Sequence, residues 1–243
     1  MQDVKIYLWL MISLPISGLS QNSQLLISGG SIVFEKKVNL YANGPVSEDF
    51  KKQAGQFRTS YFTLEFNKTH VLYTPDAKNK LLPRTGEQQA ENNTVYTDLD
   101  QKIYQSDRSI FGETFVVQDT LQKIKWKITS EKRVIAGLEC RRANAIILDS
   151  VYVVAFYTNA IPVSGGPELF SGLPGMILGV SLPHFHMNWF ATKIFDQQST
   201  PLNLEMPRQT KPPLTGLEFT SKLLEIYKHR GEDAGIFLIQ SLL

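Results

Sequence analysis

FSGLPGMILGVSLPHFHMNWF, residues 170–190, holds two glycines and a proline within four residues, then an apolar run, then two histidines in alternation. It can be a phosphate loop, a metal site or a turn between two strands. A phosphate cradle needs several free backbone N–H groups opening a helix. Pro174 removes one donor, and Met176–Leu182 is apolar and rich enough in β-formers to be a strand. Pro174 in second place and Gly175 in third fit a type II turn. The stretch therefore reads as turn, core strand, Pro183 break and second strand, with Gly172, Pro174 and Gly175 as structural punctuation.

Outward from it, most of the chain has period two. Residues 57–66 put Tyr61, Thr63 and Glu65 on one side and Phe62, Leu64 and Phe66 on the other. Strands are expected over 25–34, 57–66, 70–73, 93–98, 102–105, 113–118, 125–129, 140–148, 151–158, 176–182 and 185–194. Asp149-Ser150 makes a tight hairpin connection. Residues 75–93 read as a long exposed loop. Short strands at hairpin spacing, with no helices between them, predict a mainly β fold. An antiparallel curved sheet or open barrel with a C-terminal helix comes first, a two-sheet β-sandwich second.

Residues 201–213 carry four prolines and read as an extended linker. After it the period changes. Leu217, Phe219, Leu223, Leu224 and Ile226 form a helical stripe, and Thr215 with Glu218 has capping-box spacing. At the other end, Lys5, an apolar run over 6–14 and small residues before Gln21 have the form of a secretory signal peptide. That run is shorter than the roughly 20 residues a spanning helix needs. The expected organisation is a signal peptide over 1–20, a β-rich domain over 21–200, a proline-rich linker over 201–214 and a C-terminal helix packed on the β domain over 215–243. Once the leader is cleaved, nothing else reads as a membrane span.

The 243 residues carry a formal net charge of +2, with acids and bases interleaved, so no basic footprint for nucleic acid is present. Lys36-Lys37 reads as a solvated face. Cys140 is the sole cysteine, which excludes an internal disulfide. An exported chain without one suits a bacterial periplasm or cell surface. Glu139 and Arg141-Arg142 flank that cysteine, and a buried, inert thiol is the plainer reading. No nucleophile elbow, zinc-protease helix motif or Walker sequence occurs, and no carboxylate pair stands out for acid–base work.

Two features invite a site. Residues 161–175 form a long shaped connection around Leu169-Phe170 that either lines a groove or plugs one end of the curved sheet. On a strand, His184, His186 and Asn188 would share one face, with Phe185, Met187 and Trp189 on the core side. The candidate ligand-binding residues are Phe170, Leu173, His184, His186 and Asn188, around an apolar ligand or an outer-membrane partner protein. Alternatively, His184 and His186 hold zinc or copper in a metal-binding protein or metal-dependent enzyme. The third ligand would then come from His70, Cys140 or a carboxylate.

Several spaced motifs resemble the GLPGLI family of Bacteroidetes. They are Gly137–Ala143, Ala155–Thr158, Ile161-Pro162, Gly166-Pro167, Phe170, Gly172–Leu178 and Ala191–Ile194, with Phe111–Phe115 and the Trp126 tract upstream. The naming motif stands here as GLPGMI, with Met176 for the usual leucine, and Gly179 stands where relatives often carry an acid. The resemblance implies an exported protein, periplasmic or at the cell surface. It implies no reaction and no catalytic residues.

Overall fold

The computed structural model describes residues 26–42, 47–53, 55–77, 92–197, 202–209, 211–228 and 234–242. The expected leader and most of the polar loop after residue 75 lie outside the described residues.

The first half is β1 (Gly30–Asn39), a short helix α1 (Glu48–Gln53), β2 (Phe57–Phe66), β3 (His70–Pro75), β4 (Thr94–Asp98), β5 (Ile103–Ile110) and β6 (Glu113–Thr120). The second is β7 (Lys127–Ile135), β8 (Leu138–Ile147), β9 (Val151–Thr158), β10 (Met176–Leu182) and β11 (Met187–Asp196), followed by helices α2 (Gly216–Tyr227) and α3 (Ala234–Leu242). All eleven strands form one antiparallel sheet in the order β6-β5-β4-β3-β2-β1-β11-β10-β9-β8-β7. This is the open, curved arrangement, not a sandwich. All but one of the neighbouring pairs are also neighbours in sequence. The exception, β1 with β11, joins two meanders. The outer strands β6 and β7 flank an open seam, and residues 121–126 carry the chain from one to the other.

Period two explains the strands that were legible. Ile32, Phe34 and Val38 of β1 alternate inward, as do Phe62, Leu64 and Phe66 of β2. β1 starts and ends about five residues later than expected. Its start is set by Gly30, where a Cβ would lie 2.2 Å from the Phe195 carbonyl oxygen, so no larger residue fits against β11. β7 extends well beyond 129 because it is an outer strand exposed on most of its length. Its polar Ser130–Arg133 stretch has no buried face to imprint alternation.

Two apolar clusters follow. The larger gathers Ile32, Phe34, Phe62, Tyr73, Val153 and Trp189 among others inside the curve. The smaller packs Tyr104, Ile110, Phe115 and Val117 of β5 and β6 against Phe219, Leu223 and Tyr227 of α2. Leu169, in the connection between β9 and β10, touches both clusters.

The start of α2 is capped and tied to β6. Thr215 and Glu218 form the expected capping box. The Asp119 carboxylate at the end of β6 accepts the Gly216 N–H at 2.9 Å. Leu214, the last residue before the helix, exchanges backbone bonds with β6: its N–H donates to Val116 O at 2.8 Å, and its carbonyl accepts from Gln118 at 2.9 Å. The single expected helix is in fact a pair. The Tyr227 hydroxyl and Ser241 Oγ, 2.7 Å apart, join α2 to α3. The sequence of α3, AGIFLIQSL, has too few polar residues to show a helical period.

Candidate functional site

The connection over 161–175 is mostly buried: Ile161, Val163, Phe170 and Leu173 belong to the larger core. It plugs the curved sheet rather than looping away from it. Backbone bonds hold it there, from Met176 N–H to Ile161 O at 2.9 Å and from Ile177 N–H to Gly165 O at 2.8 Å. Trp126 Nε1 donates to Ser171 O at 2.8 Å. The GLPG segment is a turn, as read, but not a type II turn. Gly175 N–H donates to Leu173 O at 2.8 Å, a three-residue turn about Pro174 that needs no positive φ at Gly175. Positive φ falls instead on Gly172, at 91°.

The histidines are not on a strand. Pro183–Phe185 is a 3-10 turn, and His186 sits in the left-handed region at φ 50°. Pro183 fixes that turn's first φ, so the period-two argument stops before β11. His184 and His186 are both exposed, while Met187 and Trp189 are buried as expected and Asn188 is half-buried. His70 faces Asp98, its Nε2 3.5 Å from the carboxylate, with Thr69 Oγ1 2.8 Å from Nδ1. Among the described residues no three of His, Cys, Asp and Glu stand close enough to hold a metal ion. Cys140 is fully buried, and burial pushes its thiol up to about 11. It is inert at neutral pH.

A pocket of about 680 Å³ opens where the chain leaves β6 for the seam, between β6, the β8–β9 turn and α2. Its walls include Leu121 and Ile124 of the seam-crossing segment, Leu148 of the β8–β9 turn, Phe170 of the plug, and Leu217 and Phe219 of α2. Of the candidate ligand-binding residues, Phe170 alone lines it. Leu173 lies in the core behind. At the rim, Ile146, Leu148 and Leu217 are 64%, 47% and 82% exposed. Leu148 is also at φ 46°, a conformation costly for a bulky side chain.

Arg108 forms part of the pocket's inner wall and is 2% exposed. Behind it lies a buried polar group. Glu168 is fully enclosed, with its Oε1 3.9 Å from Lys36 Nζ and its Oε2 3.9 Å from Arg108 Nη1. Asn93 Nδ2 donates to Oε2 at 3.4 Å. Lys36 Nζ stands 4.9 Å from the centre of the Trp189 ring, within cation–π range. Three buried atoms of this group, Asn93 Oδ1, Arg108 Nη1 and Glu168 Oε1, have no hydrogen-bond partner. Burial raises the Glu168 carboxyl above its ordinary range; Lys36, Arg108 and Asn93 oppose this without cancelling it. The Tyr73 hydroxyl is pushed well up, first by burial and then by Glu168.

A raised carboxyl means the folded chain binds this proton more tightly than the unfolded chain. Its stabilising effect is full below the ordinary carboxylate range and is lost as pH rises through the folded value. Glu168→Gln, a neutral side chain of the same shape, removes that slope. In urea unfolding across pH 4 to 8 the variant is expected to match the native chain in acid and to equal or exceed it at neutral pH. A variant that loses ground steadily as pH rises contradicts the assignment.

Sequence reasoning missed this group, and Lys36 was read as solvated with Lys37. The structure separates them: Lys36 is buried, while the Lys37 side chain is 49% exposed. The signal was present. Lys36 falls in step with Phe34 and Val38, and Arg108 with Tyr104, Ser106 and Ile110, so both occupy inward positions. Glu168 carries no such signal. It is a loop residue at φ 52°, brought inward by the plug.

Comparison with known proteins covers part of this picture. A family model described as "Protein of unknown function (Porph_ging)" matches residues 147–179, from the β8–β9 turn through the plug and GLPG turn into β10. No curated protein matches the sequence. A solved structure of PNGF-II in a P21 crystal form aligns with 80% of this chain at 15% identity and a TM-score of 0.55. A C2 form of PNGF-II aligns with 71% at 16% identity and a TM-score of 0.49. The first likeness is one of fold. This chain spans about a third of the PNGF-II chain, 32% in the P21 form. Among the described residues no helix is long and apolar enough to cross a membrane.

Proposed function

We propose that this is an exported, non-enzymatic binding protein of the GLPGLI type that holds an apolar small molecule in the seam pocket. The leader-like N-terminus and the motif resemblance support export, and the family-model match falls on the stretch that builds the plug and the GLPG turn. One observation carries the binding reading: a pocket of about 680 Å³ with mostly apolar walls and an exposed apolar rim. Ligand sites typically measure about 300–1,000 Å³ and are lined in this way. Leaving Ile146, Leu148 and Leu217 in water forfeits their burial, and clustered exposed apolar side chains of this kind mark binding surfaces.

The neutral dye Nile red tests the reading on the purified mature chain. Its emission is expected to rise and shift to the blue with saturable, one-to-one binding. Leu217→Asp, on the exposed first turn of α2 where a carboxylate suits the helix end, should weaken binding by about tenfold while leaving thermal unfolding unchanged, as a lost apolar contact of about 1.4 kcal/mol would. Unchanged emission with the native chain sinks the proposal.

A further inference from the structure

We infer that the ligand of the seam pocket is an amphipathic carboxylate of the fatty-acid class, its chain against the apolar walls and its head group received by Arg108. This rests on the pocket being the ligand site, as proposed above.

Lys36 and Arg108 are both buried, and a single enclosed carboxylate, Glu168, lies between them. Lys36 also has the face of Trp189 beside it. Arg108 is less well served. Its Nε donates to Ser106 Oγ at 3.3 Å, and its Nη1 has no hydrogen-bond partner. Glu168, 3.9 Å away, attracts it but lies beyond hydrogen-bond length. A guanidinium cannot shed its proton, so its charge persists at any working pH. An under-paired buried cation is costly, and an incoming anion relieves that cost.

The shape of the site narrows the anion. The planar guanidinium matches a carboxylate with two parallel bonds. Beyond Arg108, Leu121, Ile124, Phe170 and Phe219 offer an alkyl chain apolar wall, while the charged Lys123, Lys125 and Asp149 also line the pocket. The nearby carboxylate in the wall, Asp119, does not compete for Arg108. It is already engaged by the Gly216 N–H at 2.9 Å and the Thr120 N–H at 2.7 Å.

Displacement of bound Nile red by decanoate, decanol and decylamine, which share one chain length, separates head from tail. Decanoate is expected to displace the dye at a concentration at least about tenfold below decanol, the worth of one charge-assisted hydrogen bond. Decylamine should be weakest. Glu168→Gln, which removes the competing carboxylate, should tighten decanoate and leave decanol unchanged. The double variant Arg108→Met/Glu168→Gln loses one buried charge of each sign and should erase the preference for decanoate while still taking up decanol. Decanol equal to or better than decanoate in the native chain overturns the inference and leaves the apolar pocket standing. Dye bound but displaced by none of the three overturns it as well. Failure of Nile red itself to bind removes the pocket reading on which the inference stands.

Discussion

Gly175→Ala is expected to destabilise the protein by about 3 kcal/mol or more, while Gly172→Ala costs about 1–2 kcal/mol. The two glycines of the GLPG turn are required for different reasons. A Cβ on Gly175 would lie 2.1 Å from the Thr158 carbonyl oxygen, 2.8 Å from the Thr158 carbonyl carbon and 3.3 Å from the Asn159 Cα. All three are backbone atoms at or just past the end of β9, and the register there is fixed by the pairing of Met176 with Thr158. No rotamer change can make room; the sheet itself must shift. Gly172 has open space, the nearest atom to its Cβ being Trp126 Nε1 at 3.7 Å. Its requirement is conformational, φ 91°. Urea unfolding of both variants checks the order, with midpoints compared at constant slope. Equal losses, or Gly172 as the costlier site, would contradict this division.

Trp189→Ala is expected to cost about 3–5 kcal/mol, the range for emptying a large aromatic site. The ring is wholly buried on β11. It meets Phe170 edge-on at 6.1 Å and lies under the Lys36 ammonium, so it supports the plug and the buried charges together. Trp189→Phe should cost much less. It keeps most of the apolar contact. The gap between the two variants is the measurement. A loss below about 1 kcal/mol for alanine would mean the plug is not held from this side.

How much of this was legible depended on how locally each feature is encoded. β2, β9 and β10 have the expected bounds, because β2 alternates, β9 and β10 are short apolar runs buried on nearly every residue, and turn formers bound each. The capping box of α2 needs only residues three apart in the chain, and it forms. α3 was invisible because a short run that is apolar on nearly every side has no period. The His184/His186 pair misled because Pro183 interrupts the strand that the alternation presupposed. The buried charges were hidden for a different reason. Lys36, Arg108 and Glu168 stand on β1, β5 and the plug, and only the sheet's curvature brings them together. Their inward strand positions can be read locally; their meeting cannot.

The strand count has a further consequence for the seam. Eleven antiparallel strands are an odd number, so β6 and β7, at opposite ends of the order, point the same way. No hairpin can join them, since a hairpin reverses direction and a parallel link needs a crossover of a dozen or more residues. Six residues, 121–126, link them here, and an extended chain of that length spans only about 20 Å. That connector has to run back along the gap, and it is what supplies Leu121 and Ile124 to the pocket. The entrance is thus a matter of parity.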